Sequence, residues 1–461
     1  MTIAKCSGIK AAFPLRSSLL FSVVWVACAG VPLGCSNSEA SVTNNAGGAS
    51  AIDGRGGAGA SNSGGSAANG SSGALAIGGS AGSAGAAGAG GQAASIGGGG
   101  ALATGGASAS GGEPSAAGTG GGGMAGMTQN VGGALGTGGA SLTAPCDIYA
   151  AGTTPCVAAH STVRALFGSY SGNLYQVRRA SDKTTKDIAV LGPGGYANAA
   201  TQDTFCAGTS CSISIIYDQS SQANHLTVTP PGGWLANGGS EANASAAKIT
   251  IGGHTAYGVY TTGSFDEAVG GVGYRNNKTK AIATLDQPEG MYMVASGKHY
   301  NQWCCFDYGN AETNNKDNGP GTMETLYFGS STQWGRGSGS GPWVMADLED
   351  GVYAGGSFAA PASNTSLTAT FVTAMLGGKP GSFRLKGGDA QSGVLKTMYD
   401  GKRPAGYDPM KKEGAIILGV GGDNSHTGEG TFFEGCITSG YPTDASDSAV
   451  QANIVAAGYG H

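Results

Sequence analysis

Charge is scarce in this sequence, and what there is leans acidic. Of 461 residues only 11% are Asp, Glu, Lys or Arg, and the balance leaves a net charge of −5. No basic stripe appears, which speaks against nucleic acid as a partner. The six His are isolated, without HExxH or any metal-ligand spacing, so no metal is expected. Across residues 144–461 no GxGxxG or GxxxxGK(S/T) offers a phosphate cradle, which speaks against a nucleotide site, and no GxSxG elbow supports a serine hydrolase; no organic cofactor is expected.

Aromatics and cysteines are absent altogether from one long stretch. Residues 36–143 hold 36 of the 88 glycines, four charged residues (Glu39, Asp53, Arg55 and Glu113) and one proline, Pro114. Without a Gly-X-Y period and with a single proline this is not collagen. Without large side chains it cannot bury enough apolar surface to offset the entropy of ordering, so residues 36–143 are expected to be a disordered Gly/Ala/Ser-rich linker. The remaining 318 residues, 144–461, carry 31 of the 34 aromatics and seven of the ten cysteines, enough for one large domain.

Residues 1–35 have the order of an export signal. Lys5, Lys10 and Arg16 precede the run Leu19–Gly30, twelve residues long and short for a bilayer span. Val31-Pro32-Leu33-Gly34-Cys35-Ser36 resembles a bacterial lipobox, with Cys35 the lipidated residue, although Pro32 stands where Leu is usual; cleavage after Ala29 is the competing reading. The expectation is a secreted protein, held at a bacterial cell surface or outer membrane by an N-terminal lipid alone. The linker would then set the domain at roughly 50–60 Å r.m.s. from its anchor.

In an exported chain the short-range pairs Cys146/Cys156 and Cys206/Cys211 read as local disulfides. Cys304 and Cys305 are adjacent. Across a trans peptide their Cα atoms would be ~3.8 Å apart, under the usual disulfide range of ~4.4–6.8 Å, so spacing alone reads as two thiols. Cys436 is left over as a buried, inert thiol.

The domain reads as all-β. Cys211–Tyr217, His254–Thr261, Gly290–Ser296, Thr370–Met375 and Ala415–Val420 are β-rich and separated by Gly, Asn, Asp and Ser clusters, which predicts a two-sheet sandwich. Short helices are expected at Ser161–Tyr170 and Ser446–Ala457. His160 and His225 read as structural histidines in polar turns. Asn69, Asn243, Asn277 and Asn364 open N-x-S/T sequons.

Two segments offer carboxylates. Reading Gly341–Ala354, GPWVMADLEDGVYA, as one strand sets Trp343, Met345, Asp347 and Glu349 on one face, with Val344, Ala346 and Leu348 on the other. A solvated acidic face competes with a glycosidase pair there. Asp423 follows the apolar AIILGV on a glycine-rich loop, Gly421-Gly422-Asp423-Asn424-Ser425, where an ordinary Asx-turn is an equal alternative.

Beyond these patterns, the block CDIYAAGTTPCVAAHSTVRALFGSYSGNLYQVRRASD from Cys146 resembles the start of the catalytic domain of glycoside hydrolase family 54, the α-L-arabinofuranosidases. The resemblance continues through YDQSSQANHLT, EGMYMVASGKHYNQWCCFDYGNAETN, GPWVMADLEDG, KEGAIILGVGGDNS and SGYPTDASDSAVQANIVAA, in chain order across 144–461. It implies a concanavalin-like jelly-roll sandwich that hydrolyses terminal α-L-arabinofuranosyl residues with retention, from arabinan, arabinoxylan or related side chains. Carried over residue by residue, it makes Glu349 the nucleophile and Asp423 the general acid/base. Cys304–Cys305 becomes a vicinal disulfide in the sugar pocket, with Asp347, Trp334, Asp350 and Gly422 as substrate contacts. Cys146–Cys156 and Cys206–Cys211 become the structural bridges, and the enzyme a monomer.

Two departures qualify that carry-over. Asp350 stands where the family more often has Asn, which removes a donor and adds charge beside the nucleophile. The fungal relatives' C-terminal arabinose-binding β-trefoil has no counterpart before His461. A non-catalytic carbohydrate-binding sandwich is the rival class, and a structural surface protein built around the linker is a third.

Overall fold

The computed structural model describes Thr143–Asp266 and Val269–His461. Residues 1–142, which hold the expected leader, Cys35 and all of the expected linker but Thr143, lie outside the described residues.

Two antiparallel sheets face each other. The eight-stranded sheet runs Lys396–Lys402, Ser382–Asp389, Phe371–Lys379, Glu289–Tyr300, Gly430–Ser439, His254–Thr261 and Ala247–Ile251, with Cys156–Ser161 also paired to Gly430–Ser439. The eleven-stranded sheet runs Val352–Tyr353, Trp343–Asp347, Glu324–Gly329, Asp307–Ala311, Ala415–Leu418, Tyr274–Asn276, Leu226–Val228, Cys211–Ile216, Asn173–Arg179 and Thr185–Ala189, with Ala242–Asn243 beside Cys211–Ile216. This is the expected all-β two-sheet sandwich.

Side-chain alternation sorts three layers. Between the sheets, Val344, Ala346, Leu348, Leu326, Phe328, Ile416 and Leu418 meet Met291, Met293, Leu376 and Phe432 in one core. On the outer face of the eight-stranded sheet, Tyr292, Val294, Phe371 and Phe433 pack under Tyr149 of the helix Pro145–Ala151 and Val450 and Ile454 of the helix Asp444–Ala456. On the outer face of the eleven-stranded sheet, Tyr327, Trp343 and Met345 form a smaller cluster with Cys305, Val352 and Ala354. The candidate site is built on that last face.

The five expected strands and the C-terminal helix form close to their expected bounds. The expected helix at Ser161–Tyr170 does not. The Cys156–Ser161 strand runs into the segment, Ser161 Oγ accepts from the Val163 and Arg164 amides at 3.1 Å each, and Arg164 pairs with Tyr196 in an isolated bridge. Those two bonds are a helix N-cap pattern, but no helix follows, because the next amides go to distant partners: Ala165 N donates to the Gly195 carbonyl at 2.8 Å and Leu166 N to Gln219 Oε1 at 2.7 Å. His160 sits in that strand rather than in a turn, fully buried between Tyr308 Oη (3.0 Å) and the Asn224 carbonyl (2.9 Å). His225 is half-buried and its Nδ1 accepts from the Asp218 amide at 3.0 Å. Asn364 is fully buried, its amide donating to the Val344 and Ala354 carbonyls, which closes that sequon to modification in the folded chain.

A buried ionic network ties the sheets together. Lys412 Nζ lies 2.9 Å from both Glu289, on the eight-stranded sheet, and Glu324, on the other; Arg403 meets Glu324 at 2.7 Å. Two cations hold the Glu324 carboxyl down to about 2 against its burial, whereas burial lifts Glu289, which faces Lys412 alone, to about 7.

Candidate active site

The Trp343–Asp347 strand ends earlier than the sequence pattern suggests. Val344, Ala346 and Leu348 do face the core, and Trp343 and Met345 the opposite side. Glu349 does not continue that face as a strand residue. Glu349 and Asp350 have φ of 61° and 57°, and Leu348 N donates to Gly351 O at 3.1 Å. Two successive positive φ values make the two-residue hairpin turn whose twist suits neighbouring strands, here Trp343–Asp347 and Val352–Tyr353. Neither residue is the glycine that such positions favour, so the turn stores strain of order 1–3 kcal/mol per residue where the chemistry is expected. The turn folds Glu349 back over the strand end, and its amide donates to Asp347 Oδ1 at 3.2 Å.

A cavity of about 520 Å³ opens above this turn. Every candidate named from the sequence lines it: Glu349, Asp423, Asp347, Asp350, Cys304, Cys305, Trp334 and Gly422. Cys304 and Cys305 are joined as a vicinal disulfide across a cis peptide, so the two-thiol reading from Cα spacing fails. The pairs Cys146–Cys156 and Cys206–Cys211 are also bridged, while Cys436 is a free thiol, buried and thereby pushed well above its ordinary pKa.

Asp423 is carried by a loop pinned from below. The Arg275 guanidinium donates to the Gly422 carbonyl at 2.7 Å, to Asn424 Oδ1 at 2.9 Å and to the Glu312 carbonyl. Asn424, fully buried with φ of 63°, donates to the Gly232 and Pro230 carbonyls, and the Trp234 amide donates to the Asp423 carbonyl at 3.0 Å. Asp423 Oδ1 accepts from the Ser425 amide at 2.8 Å, the Asx-turn weighed as an alternative, and the half-buried residue lines the cavity. The local turn and the candidate role therefore coexist. Gly422 has no room for a side chain: a Cβ would collide with the Glu312 carboxylate and stand 2.8 Å from Glu349 Oε2.

Five carboxyls crowd this face, two of which the sequence reading missed. Asp307 and Glu312 lie on and just after the Asp307–Ala311 strand, both fully buried. Burial pushes Asp307 well up, helped by Asp347. Burial first, then the charges of Glu312, Asp347 and Asp423, push Glu349 up to about 11; burial lifts Asp347 to about 7 and raises Glu312. Arg275 is the cation in their midst, but its guanidinium is taken up by carbonyls and Asn side chains, and burial lowers it to about 10. So many carboxyls cannot all ionise together, and the cluster retains protons at neutral pH. Asp347 Oδ2 lies 3.2 Å from Cys305 Sγ. A disulfide sulfur has no hydrogen to donate, so that contact favours a proton on Asp347.

Arg275 was also missed: no motif marks it, and it lies in the short Tyr274–Asn276 strand. Nor did any motif single out Trp234, Phe265 and Trp303, which line the cavity's exposed rim. The signal available for Glu312 and Asp307 was their position in FDYGNAETN, within the block that carries the resemblance.

Comparison with known proteins fits this geometry. Residues 145–460 match the family described as "Alpha-L-arabinofuranosidase B, catalytic". A probable α-L-arabinofuranosidase B of Aspergillus fumigatus is 56% identical over 324 residues, 69% of this chain and 63% of that protein. An "Arabinofuranosidase/B-xylosidase" of Trichoderma koningii is 56% identical over 321 residues, 68% of this chain and 63% of its own. The chain thus spans under two thirds of the length of these relatives. A solved family 54 arabinofuranosidase in complex with arabinofuranosyl-α-1,2-xylobiose superposes with a TM-score of 0.66 at 52% identity, covering 68% of this chain and 65% of that one. Another, soaked with a cyclic sulfate inhibitor, gives the same score and identity over 68% and 66%.

Proposed function

This chain belongs to glycoside hydrolase family 54, the α-L-arabinofuranosidase B catalytic family, and on that premise we propose that it is a retaining α-L-arabinofuranosidase. Its substrates are terminal, non-reducing α-L-arabinofuranosyl groups on arabinan, arabinoxylan or related plant cell-wall chains. The observation that carries the reading is the meeting of Glu349 and Asp423, 74 residues apart in sequence, in one cavity floored by Cys304–Cys305 and Asp347.

Glu349, ionised, attacks the anomeric carbon, and Asp423 gives its proton to the departing glycosidic oxygen. A covalent glycosyl-enzyme results. Asp423 then takes a proton from water, which cleaves the ester with a second inversion and so net retention. Asp347 and the sulfurs beside it border the furanose pocket, with Trp334 as its aromatic side. Gly422 keeps the backbone close to the reacting carbon. Asp350, exposed on the rim, accepts rather than donates when ionised; partial desolvation and its neighbour Asp317 raise its pKa.

Residues 1–35 are proposed as an export leader, 36–143 as a tether and 144–461 as the catalytic domain. Two local disulfides support an extracellular setting. Lipidation of Cys35 is the finer part of this proposal; it rests on the lipobox-like sequence, and the mass of the mature N-terminal peptide decides it. The catalytic reading is tested with 4-nitrophenyl α-L-arabinofuranoside. The domain should turn it over, and Glu349→Gln should lower kcat at least about a thousandfold with the fold intact. Binding without turnover by the unaltered domain would leave the carbohydrate-binding rival standing instead.

A further inference from the structure

Glu312 has no place in the two-carboxylate scheme, yet it faces Glu349 over Gly422. It is fully buried, one residue beyond the Asp307–Ala311 strand, and its main chain is fixed by Arg275 donating to its carbonyl. Its Oε1 lies 2.5 Å from Thr322 Oγ1. Its Oε2 is buried and without a partner. Both Glu312 Oε2 and Glu349 Oε2 crowd the missing side chain of Gly422, so the glycine is what lets the two carboxyls face each other. Two ionised oxygens in that position would repel in a dry setting and leave a buried acceptor unsatisfied. One proton between them removes both costs.

We propose that Glu312 is a positioning residue for the nucleophile: protonated, it donates one hydrogen bond to the Glu349 carboxylate and holds it aimed and ionised. This rests on the reading of Glu349 as nucleophile. Thr322 Oγ1 also lies 2.7 Å from the Gly319 carbonyl, so its single hydrogen has two acceptors; the proposal requires it on Glu312 Oε1, which leaves the carboxyl proton on Oε2. That proton stays on Glu312 throughout. It bonds the carboxylate of free Glu349, the ester oxygen of the intermediate, and the carboxylate again as the sugar departs. Burial raises the pKa of Glu312, and burial with the charge of Glu312 pushes Glu349 up to about 11, so the pair holds a proton in common; the reacting state keeps that proton on Glu312. The charged groups facing the pair are Arg275 beneath, Asp347 beside Glu349 and Asp423 across the cavity, with Glu413 on the far side of Arg275.

The test compares pH–rate profiles of the unaltered domain, Glu312→Gln and Glu312→Ala on an aryl arabinofuranoside whose leaving group needs no proton, with melting temperatures measured alongside. Glutamine keeps a donor toward Glu349, so its kcat should stay within about threefold and its acid limb in place. Alanine removes a hydrogen bond to a charged group, so kcat should fall about ten- to hundredfold with KM little changed. Its acid limb should also move up by about one pH unit, because a carboxylate that loses a donor binds its proton more tightly. The proposal is overturned if the alanine profile superposes on that of the unaltered domain. It is equally overturned if glutamine falls as far as alanine while melting at the unaltered temperature. Full activity of Glu349→Gln would instead remove the nucleophile assignment beneath it.

Discussion

Glu349 and Asp423 hold the proposed chemistry, but the residues around them decide which carboxyl carries a proton. Glu349 faces Glu312 and Asp347 and is pushed strongly toward its protonated form, with burial the leading cause. Asp423 is only partly buried, bonded through Oδ1 to its own loop and otherwise open to the cavity. A general acid in that position matters in proportion to the leaving group's need for a proton. Asp423→Asn should therefore lose about a hundred- to ten-thousandfold in kcat/KM on arabinan side chains, yet far less on a dinitrophenyl arabinofuranoside. Steady-state kinetics on both substrates checks this, and an equal loss on the two would remove Asp423 from the acid role. At this scale the sequence was legible where a motif held the residue. ADLED and GGDNS pointed to the two carboxyls proposed as catalytic, whereas Glu312, Asp307 and Arg275 reach the cluster through contacts across strands far apart in the chain, which spacing cannot reveal.

Period-two alternation correctly separated the core-facing Val344, Ala346 and Leu348 from Trp343 and Met345. It failed one residue later, because alternation continues formally through a turn. Only the backbone places Glu349 and Asp350 in left-handed conformations rather than in a strand. The expected helix at Ser161–Tyr170 failed because tertiary partners take its amides: Ala165 N donates to the Gly195 carbonyl and Leu166 N to Gln219 Oε1, contacts that no local pattern reports. No pattern reported the Glu289–Lys412–Glu324–Arg403 network that joins the two sheets, whose members are separate single charges in sequence. Glu324→Gln leaves Arg403 without its carboxylate and Lys412 with Glu289 alone. It should cost about 3–5 kcal/mol, read as a lower urea midpoint at unchanged slope. A midpoint within error of the unaltered domain would show the network to be dispensable.

The whole chain divides its glycines between tasks. Residues 36–143 hold 36 of them in a segment with no aromatic residue, proposed as a tether, and 144–461 hold 49 in a domain where a few, Gly422 foremost, let backbone and carboxyls approach. The fold class was legible in full because strands, turns and family blocks all pointed to one sandwich. The central claim is narrower: among five clustered carboxyls, Glu349 is the one that forms the covalent bond. It is tested most directly by trapping the intermediate with a slowly released arabinofuranosyl inactivator and mapping the labelled peptide by mass spectrometry. The account predicts one sugar per chain, esterified to Glu349. A label on Asp347, Asp423 or Glu312 would contradict it.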